Sequence, residues 1–350
     1  MSTPVEPSTP EDALAHAAAA GIHQLSIPTP FAVGRVNCYL IEDDPLTLID
    51  TGPNSGKSLD ELEQALAEHG RRIEELGLIV LTHQHMDHIG LLEILARRSG
   101  AEVAAFELLA PYLADFRASA VADDEFAQEV MRRHGIPADL ATVLGSMSAA
   151  FRAFGSGAPV SHPLRDGEEL RLRDRSFQAL HRPGHSPSDT IFWDAERALL
   201  ISGDHLLAKI SSNPLVSRPL DPSADGSRPK ALISYIESLL ATRELPAELV
   251  LAGHGPPILA HQPLIDERLR LHRRRTSNIL RLLGDGPSTA YEIAVKLWGN
   301  VAVTQAYLTL SEVLGHLDLL VRDGMARELR DGPLSRFEAI APAATRRHEE

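Results

Sequence analysis

Between Gly21 and Asp50 short apolar runs alternate with turn residues, and residues 36–40 and 46–49 read as paired strands. Residues 58–74 place Leu and Ala at helical spacing and lead into the continuous apolar run 78–81, a buried strand. Helical periodicity returns over 89–98 and stops at Gly100, and 103–106 is a short strand. Residues 107–157 keep a helical, Ala- and Leu-rich pattern and read as an insertion. It supplies either extra packing or a lid or pocket wall carrying Phe116, Phe126, Met131, Met147, Phe151 and Phe154; aromatics at helical spacing favour packing.

Strand patterns resume at 169–172, 176–181, 190–193 and 198–201, followed by a helix over 231–242 and a strand over 249–252. Two β-rich halves, each followed by helices, predict an α/β/β/α sandwich over residues 21–262. Beyond it, helices over 264–283, 288–297 and 303–322 precede a hairpin of 325–329 with 336–340. That order describes a winged-helix-like domain over 263–342. Residues 1–20 read as a flexible Pro- and Ala-rich leader and 343–350 as a tail.

Composition narrows the function classes. The 350 residues are 43% hydrophobic and carry a net charge of -14, against a protein that coats nucleic acid or anionic membrane. The one cysteine, Cys38, excludes an intrachain disulfide and a thiolate-rich metal site, and in its apolar run it reads as buried packing. The N-terminus lacks a cationic start and no apolar run is long enough to span a bilayer, so a cytoplasmic protein with no membrane partner is expected.

The chemistry concentrates in Thr82-His83-Gln84-His85-Met86-Asp87-His88, three imidazoles and a carboxylate just past a strand. His83 and His85, two apart on extended backbone, project the same way, while the turn directs Asp87 and His88 toward a neighbouring site. Such nitrogen and oxygen donors suit zinc, with manganese or iron allowed. Three further strand ends each offer a ligand on a glycine turn: Gly184-His185, Gly203-Asp204 and Gly253-His254. His162, His181 and His205 read instead as surface or hydrogen-bonded histidines.

The HxHxDH run followed in order by His185, Asp204 and His254 resembles the metallo-β-lactamase-fold hydrolase superfamily over roughly residues 21–261. The resemblance implies the four-layer αββα metallo-β-lactamase sandwich. It implies one metal on His83, His85 and His185, a second on Asp87, His88 and His254, and Asp204 between them. The run 48–52, Leu-Ile-Asp-Thr-Gly, also matches the family; Asp50 then either orients a ligand imidazole or caps a strand-terminal turn. The bridging aspartate sets the chain apart from the antibiotic-degrading lactamases, which lack it, and resembles the set of glyoxalase II, lactonases and lactamase-like endoribonucleases. The winged-helix-like tail resembles extensions found on lactamase-like hydrolases.

The implied chemistry is that of a binuclear metal-dependent hydrolase using a metal-bridging hydroxide, with Asp87 as the catalytic carboxylate. Two substrate classes follow: a small ester, thioester or lactone, or, as the alternative, the phosphodiester of single-stranded RNA. Charge favours the first. Residues 266–350 carry a balance of +1 and the rest -15, and residues 303–321, where a recognition helix would lie, contain no Lys or Arg. The roles left to the tail are packing, homodimerisation or shaping the pocket entrance. The cluster Arg268, Arg270, Arg273, Arg274 and Arg275 reads as a solvated face, and Lys209 and Asn213 are weak candidates for substrate contact.

Overall fold

The computed structural model describes residues 9–221, 223 and 227–340. Its helices are α1 (Pro10–Ala19), α2 (Gly56–Glu68), α3 (Met86–Ile89), α4 (Leu92–Ser99), α5 (Ala110–Ala114), α6 (Phe116–Arg133), α7 (Ala138–Phe151), α8 (Ala231–Arg243), α9 (His261–Leu283), α10 (Ala290–Trp298), α11 (Val301–Thr304) and α12 (Ala306–Arg322). One sheet orders β1 (Ile22–Ile27), β2 (Val36–Ile41), β3 (Thr47–Ile49), β4 (Leu78–Val80), β5 (Glu102–Phe106) and β6 (His162–Leu164) side by side in sequence order. It is antiparallel from β1 to β3 and parallel from β3 to β6. A second sheet runs β11-β10-β9-β8-β7, from β7 (Glu169–Arg171), β8 (Ser176–His181), β9 (Thr190–Asp194), β10 (Leu199–Gly203) and β11 (Leu249–Ala252). Within it β10 and β11 pair parallel.

Strands such as β4 and β11 read as unbroken apolar runs because both of their faces are covered. Tyr39, Ile41, Ile49 and Val80 point inward and meet Phe177, Phe192, Ile201 and Leu251 of the other sheet. Their chain neighbours Cys38, Leu40, Leu48 and Ile79 point outward into a layer that includes Leu62 and Leu66 of α2 and Leu92 and Leu95 of α4. A slip of one residue would exchange the two sets, so register is specified from both sides. The outer face of the second sheet, with Leu180, Ile191, Leu200 and Val250, is closed by Leu232 and Leu239 of α8 and Ile265 and Leu269 of α9. The order of layers is therefore helix, sheet, sheet, helix.

Four expectations need correction. Residues 10–19 are not a flexible leader but form α1. Thr9 and Asp12 make reciprocal capping bonds, Pro10 opens the first turn, and Ala13 and Ala17, one turn apart, are buried in the inter-sheet core. Residues 1–8 and the tail at 343–350 lie outside the described residues. The helix expected over 58–74 ends at Glu68, because Gly70 takes φ +68°, and a separate 3₁₀ turn covers Ile73–Glu75. The helix expected over 303–322 is broken at Gln305, with φ -124°, into α11 and α12.

The fourth correction concerns the domain boundary at 262/263. Helix α9 crosses it: Ile265 and Leu269 belong to the sandwich, whereas Ile279 and Leu283 belong to a C-terminal core. That core joins α10, α12 and the hairpin of β12 (Ala326–Asp331) and β13 (Leu334–Ala339) to Val130, Met131, Ile136 and Ala141 of the 107–157 insertion. Insertion and C-terminal segment are thus one apolar body, and Met131 is core, as its spacing implied. Met147 and Phe151 are exposed on α7.

Candidate metal centre

Five loops, each following the carboxyl end of a strand, converge on one point. β3 delivers Asp50, β4 delivers residues 82–88, β8 delivers His185, β10 delivers Asp204 and β11 delivers His254. Parallel pairing of β10 with β11 sets Asp204 beside His254, and Gly253 N–H donates to Gly203 O at 2.7 Å across that step. Gly253 has to be glycine, since a Cβ there would land on Asp204 Oδ1. Asn37 of β2 locks the same turn, donating from its N–H to Gly253 O (2.7 Å) and from Nδ2 to Ala252 O (2.9 Å).

Two clusters share this point. His83, His85 and His185 hold one donor atom each within 4.8 Å of the others, as do Asp87, His88 and His254. Asp204 lies between: its carboxylate oxygens are 3.5 Å from His88 Nε2, 3.5 Å from His254 Nε2 and 3.6 Å from His185 Nε2. Asp87 Oδ2 is 3.2 Å from His254 Nε2. His85 Nδ1 sits 3.0 Å from His83 Nε2 and 2.9 Å from His185 Nε2.

The outer hydrogen bonds fix which ring nitrogen carries the proton. His88 Nδ1–H donates to Asp50 Oδ2 at 2.8 Å, His254 Nδ1–H to Arg35 O at 2.7 Å and His185 Nδ1–H to Asn213 O at 3.2 Å. Thr82 Oγ1 gives its own proton to Asp50 Oδ2 (2.8 Å), so it accepts from His83 Nδ1–H at 3.0 Å. Four imidazoles therefore turn bare Nε2 lone pairs inward, where they meet one another and carboxylate oxygens. Acceptor faces acceptor, and His88 Nε2 and Asp204 Oδ1 are buried without a hydrogen-bond partner. Cations resolve that arrangement. With zinc–nitrogen bonds of about 2.0–2.1 Å, ligand atoms around one tetrahedral ion stand about 3.3 Å apart, close to the spacings found.

The two halves differ electrically. Burial, reinforced by His88 and His85, holds His83 well below the usual imidazole range, and burial with His185 brings His85 down to about 3. Both are neutral donors. Around His88 and His254 burial pulls the same way but is outweighed, by Asp204, Asp50 and Asp87 for His88 and by Asp204 and Asp87 for His254, so both are raised. Burial works against ionised Asp87 and Asp204, yet His88 and His254 hold both carboxyls below their ordinary range. The anionic half attracts positive charge, whether protons or a metal.

The structure brings together His83, His85, Asp87, His88, His185, Asp204 and His254, with Asp50 directly behind. Asp50, at φ +60°, both accepts from Thr82 N–H at 2.9 Å, as a strand-end cap would, and orients His88. Asn213 contributes its backbone carbonyl to His185, while its side-chain amide donates to Leu308 O of α12 at 3.1 Å. Lys209 is exposed. Arg268 departs from the solvated face expected of its cluster: it is buried and its Nη2 donates to the carbonyls of Leu207, Ala208 and Ile210, anchoring the loop behind Asp204. Arg270, Arg273, Arg274 and Arg275 are exposed. His205 is a core histidine bonded to Thr242 Oγ1 at 2.9 Å, and His181 stacks on Phe106. The Arg35 and Asn213 carbonyls were not legible beforehand, because backbone acceptors leave no signal in residue type, and the hydroxyl of Thr82 gains its role only where the fold sets it between Asp50 and His83.

The model of the metallo-beta-lactamase superfamily matches residues 32–254. The probable metallo-hydrolase YqjP of Bacillus subtilis is 33% identical over 296 residues, covering 85% of this chain and 91% of that protein. The hydroxyacylglutathione hydrolase GloC of Haemophilus influenzae is 28% identical over 235 residues, 65% of this chain and 88% of its own length. Among solved structures, the metallo-beta-lactamase family protein TTHA1429 of Thermus thermophilus aligns at a TM-score of 0.75 and 28% identity, covering 91% of this chain and 99% of that one. Such coverage requires most of the chain beyond residue 254, so the likeness includes the C-terminal helices.

Proposed function

Because the chain belongs to the metallo-β-lactamase superfamily and is a metal-dependent hydrolase, we propose that it cleaves a small ester, thioester or lactone at a centre of two divalent cations, zinc in the first instance. The observation that carries the two-cation reading is the doubled donor set with Asp204 at its middle, 3.5–3.6 Å from donors of both halves. His83, His85 and His185 would hold one ion, Asp87, His88 and His254 the other. Bound there, divalent cations lower the pKa of water and polarise the oxygen of the attacked centre.

The chain's own residues do the rest. Asp87, kept ionised by His88 and His254, would accept a proton from the attacking water and orient it. Asp50 and Thr82 hold His88 and His83 in the tautomers that face the centre. A mostly apolar cavity of about 200 Å³ is lined by Leu108, Pro183, Leu215 and Leu220 and includes Gly184 and Ser186, the neighbours of His185. Under this reading it would receive an uncharged acyl or alkyl group next to the loop that carries His185. A relative named hydroxyacylglutathione hydrolase supports an S-acyl compound among the substrates to try.

A panel of thioesters, lactones, aryl esters, phosphodiesters and single-stranded RNA, run on purified protein of measured metal content, tests the proposal. Turnover of an ester, thioester or lactone, lost in His85→Ala, is expected. RNA cleavage that His85→Ala abolishes, with no ester or thioester turnover, would overturn the substrate class.

A further inference from the structure

The inward-facing lone pair that marks the centre recurs once more among the described residues, inside the C-terminal unit. Glu312 and His316, four apart on α12, share a helix face, and His272 of α9 packs against them. One donor atom of each lies within 4.8 Å of the others. Thr276 Oγ1–H donates to His272 O at 3.0 Å, so its oxygen accepts from His316 Nδ1–H at 2.8 Å. His316 is fully buried, and its Nε2 lies 3.3 Å from Glu312 Oε1, a contact that is a hydrogen bond when that nitrogen carries a proton. With the proton on Nδ1 instead, the two are acceptors that need a positive charge between them.

A proton on His316 Nε2 would reconcile this pair but not the third group. His272 is 6% exposed, and its Nε2 is buried with no hydrogen-bond partner. A cation satisfies all three at once. The bond from His316 to Thr276 then has the form that orients ligand imidazoles generally, as Thr82 does for His83. Arg275 also contacts Glu312, but this arginine is 44% exposed and its guanidinium lies 5.5 Å from the ring centroid of Trp298, so it keeps an anchor if the carboxylate turns to a metal.

We propose that His272, Glu312 and His316 form a further divalent-cation site, separate from the hydrolytic centre. Two imidazoles and one carboxylate favour zinc, with water completing the tetrahedron. The site lies behind α8: the Tyr235 ring stands edge-on to both His205 and His272, with centroids 5.7 and 6.2 Å away, and its hydroxyl donates to His205 O at 2.9 Å. A cation there pins α9 to α12 on the back of the loop that carries Asp204.

The test is zinc stoichiometry, by elemental analysis of full-length protein loaded with zinc and desalted. His272→Gln is expected to bind one equivalent less than wild type. His83→Ala/His254→Ala, which disables the hydrolytic centre and leaves the distal cluster untouched, is expected to retain one equivalent that Glu312→Gln added to it removes. The second series answers even if His272→Gln does not fold. Unchanged stoichiometry in a folded His272→Gln, or no zinc retained by the double variant, would overturn the site.

Discussion

The strand-end cage and the C-terminal helical unit bury polar groups to similar depth, but they treat them differently. Asp318 on α12 is 2% exposed at its side chain and is satisfied outright, by Arg228 Nη1 and Nη2 at 2.8 and 2.6 Å and by Lys230 Nζ at 2.7 Å. Such a group ties the segment before α8 to α12 and has nothing left to offer a ligand. In the cage the hydrogen bonds face outward, to Asp50, Thr82, Arg35 O and Asn213 O, and the inward atoms are left bare. The difference shows that burial alone does not mark function; the direction in which the satisfied atoms point does. The trio His272, Glu312 and His316 is informative because it sits in the C-terminal unit and follows the rule of the cage.

The comparison would break most visibly at the bridging carboxylate. Asp204→Ala removes the one side chain that reaches both halves, and metal content is expected to fall by at least one equivalent with turnover lost to the detection limit. The fold should persist, because the sandwich core does not include Asp204. Unchanged metal content and rate would remove the bridging role. Asp50→Asn should act more weakly, since it alters only the partner of His88 and of Thr82. A loss of about 10–100-fold in metal affinity or turnover is expected. A variant that loses thermal stability while keeping metal affinity would show Asp50 to be a turn cap and nothing more.

What could be read beforehand follows from where the signals lie. The sandwich was legible because strands such as β4 and β10 are buried on both sides, so 78–81 and 198–201 appear as unbroken apolar runs, and the candidate ligands sit at strand ends marked by Gly203 and Gly253. The seven side chains that converge there were readable from residue type and order. Helix α1 was not, because an Ala-rich stretch of small residues looks the same whether it is solvated or docked; its burial depends on β1 and the far sheet. Arg268 was misjudged for a related reason. Its neighbours in the run are solvated, and only the fold brings the carbonyls of Leu207, Ala208 and Ile210 under its guanidinium. The distal trio joins positions some forty residues apart on two helices, and no local motif announces it.

The smallest expected effect tests the C-terminal side of the comparison, where a buried imidazole should matter to stability alone. His134 is 2% exposed and stacks on Phe337; burial, with Arg228, Arg133 and Lys230 adding to it, brings its pKa down to about 3. The unfolded chain has an ordinary histidine, near 6.5. Above about pH 6.5 the ring is neutral in both states and contributes no pH dependence. As pH falls below that value the unfolded state takes up a proton that the folded state refuses, so stability declines, approaching about 1.4 kcal/mol per pH unit until pH nears 3. Denaturant unfolding of wild type and His134→Leu, both stripped of metal so that the cage contributes equally, isolates this one group. Relative to its own value at pH 7, wild type should lose about 1–1.5 kcal/mol more than the variant by about pH 5.5. Parallel stability curves would mean that the ring reaches water and takes its proton in the folded state, and the contrast between a cage that attracts positive charge and a core that repels it would lose its second half.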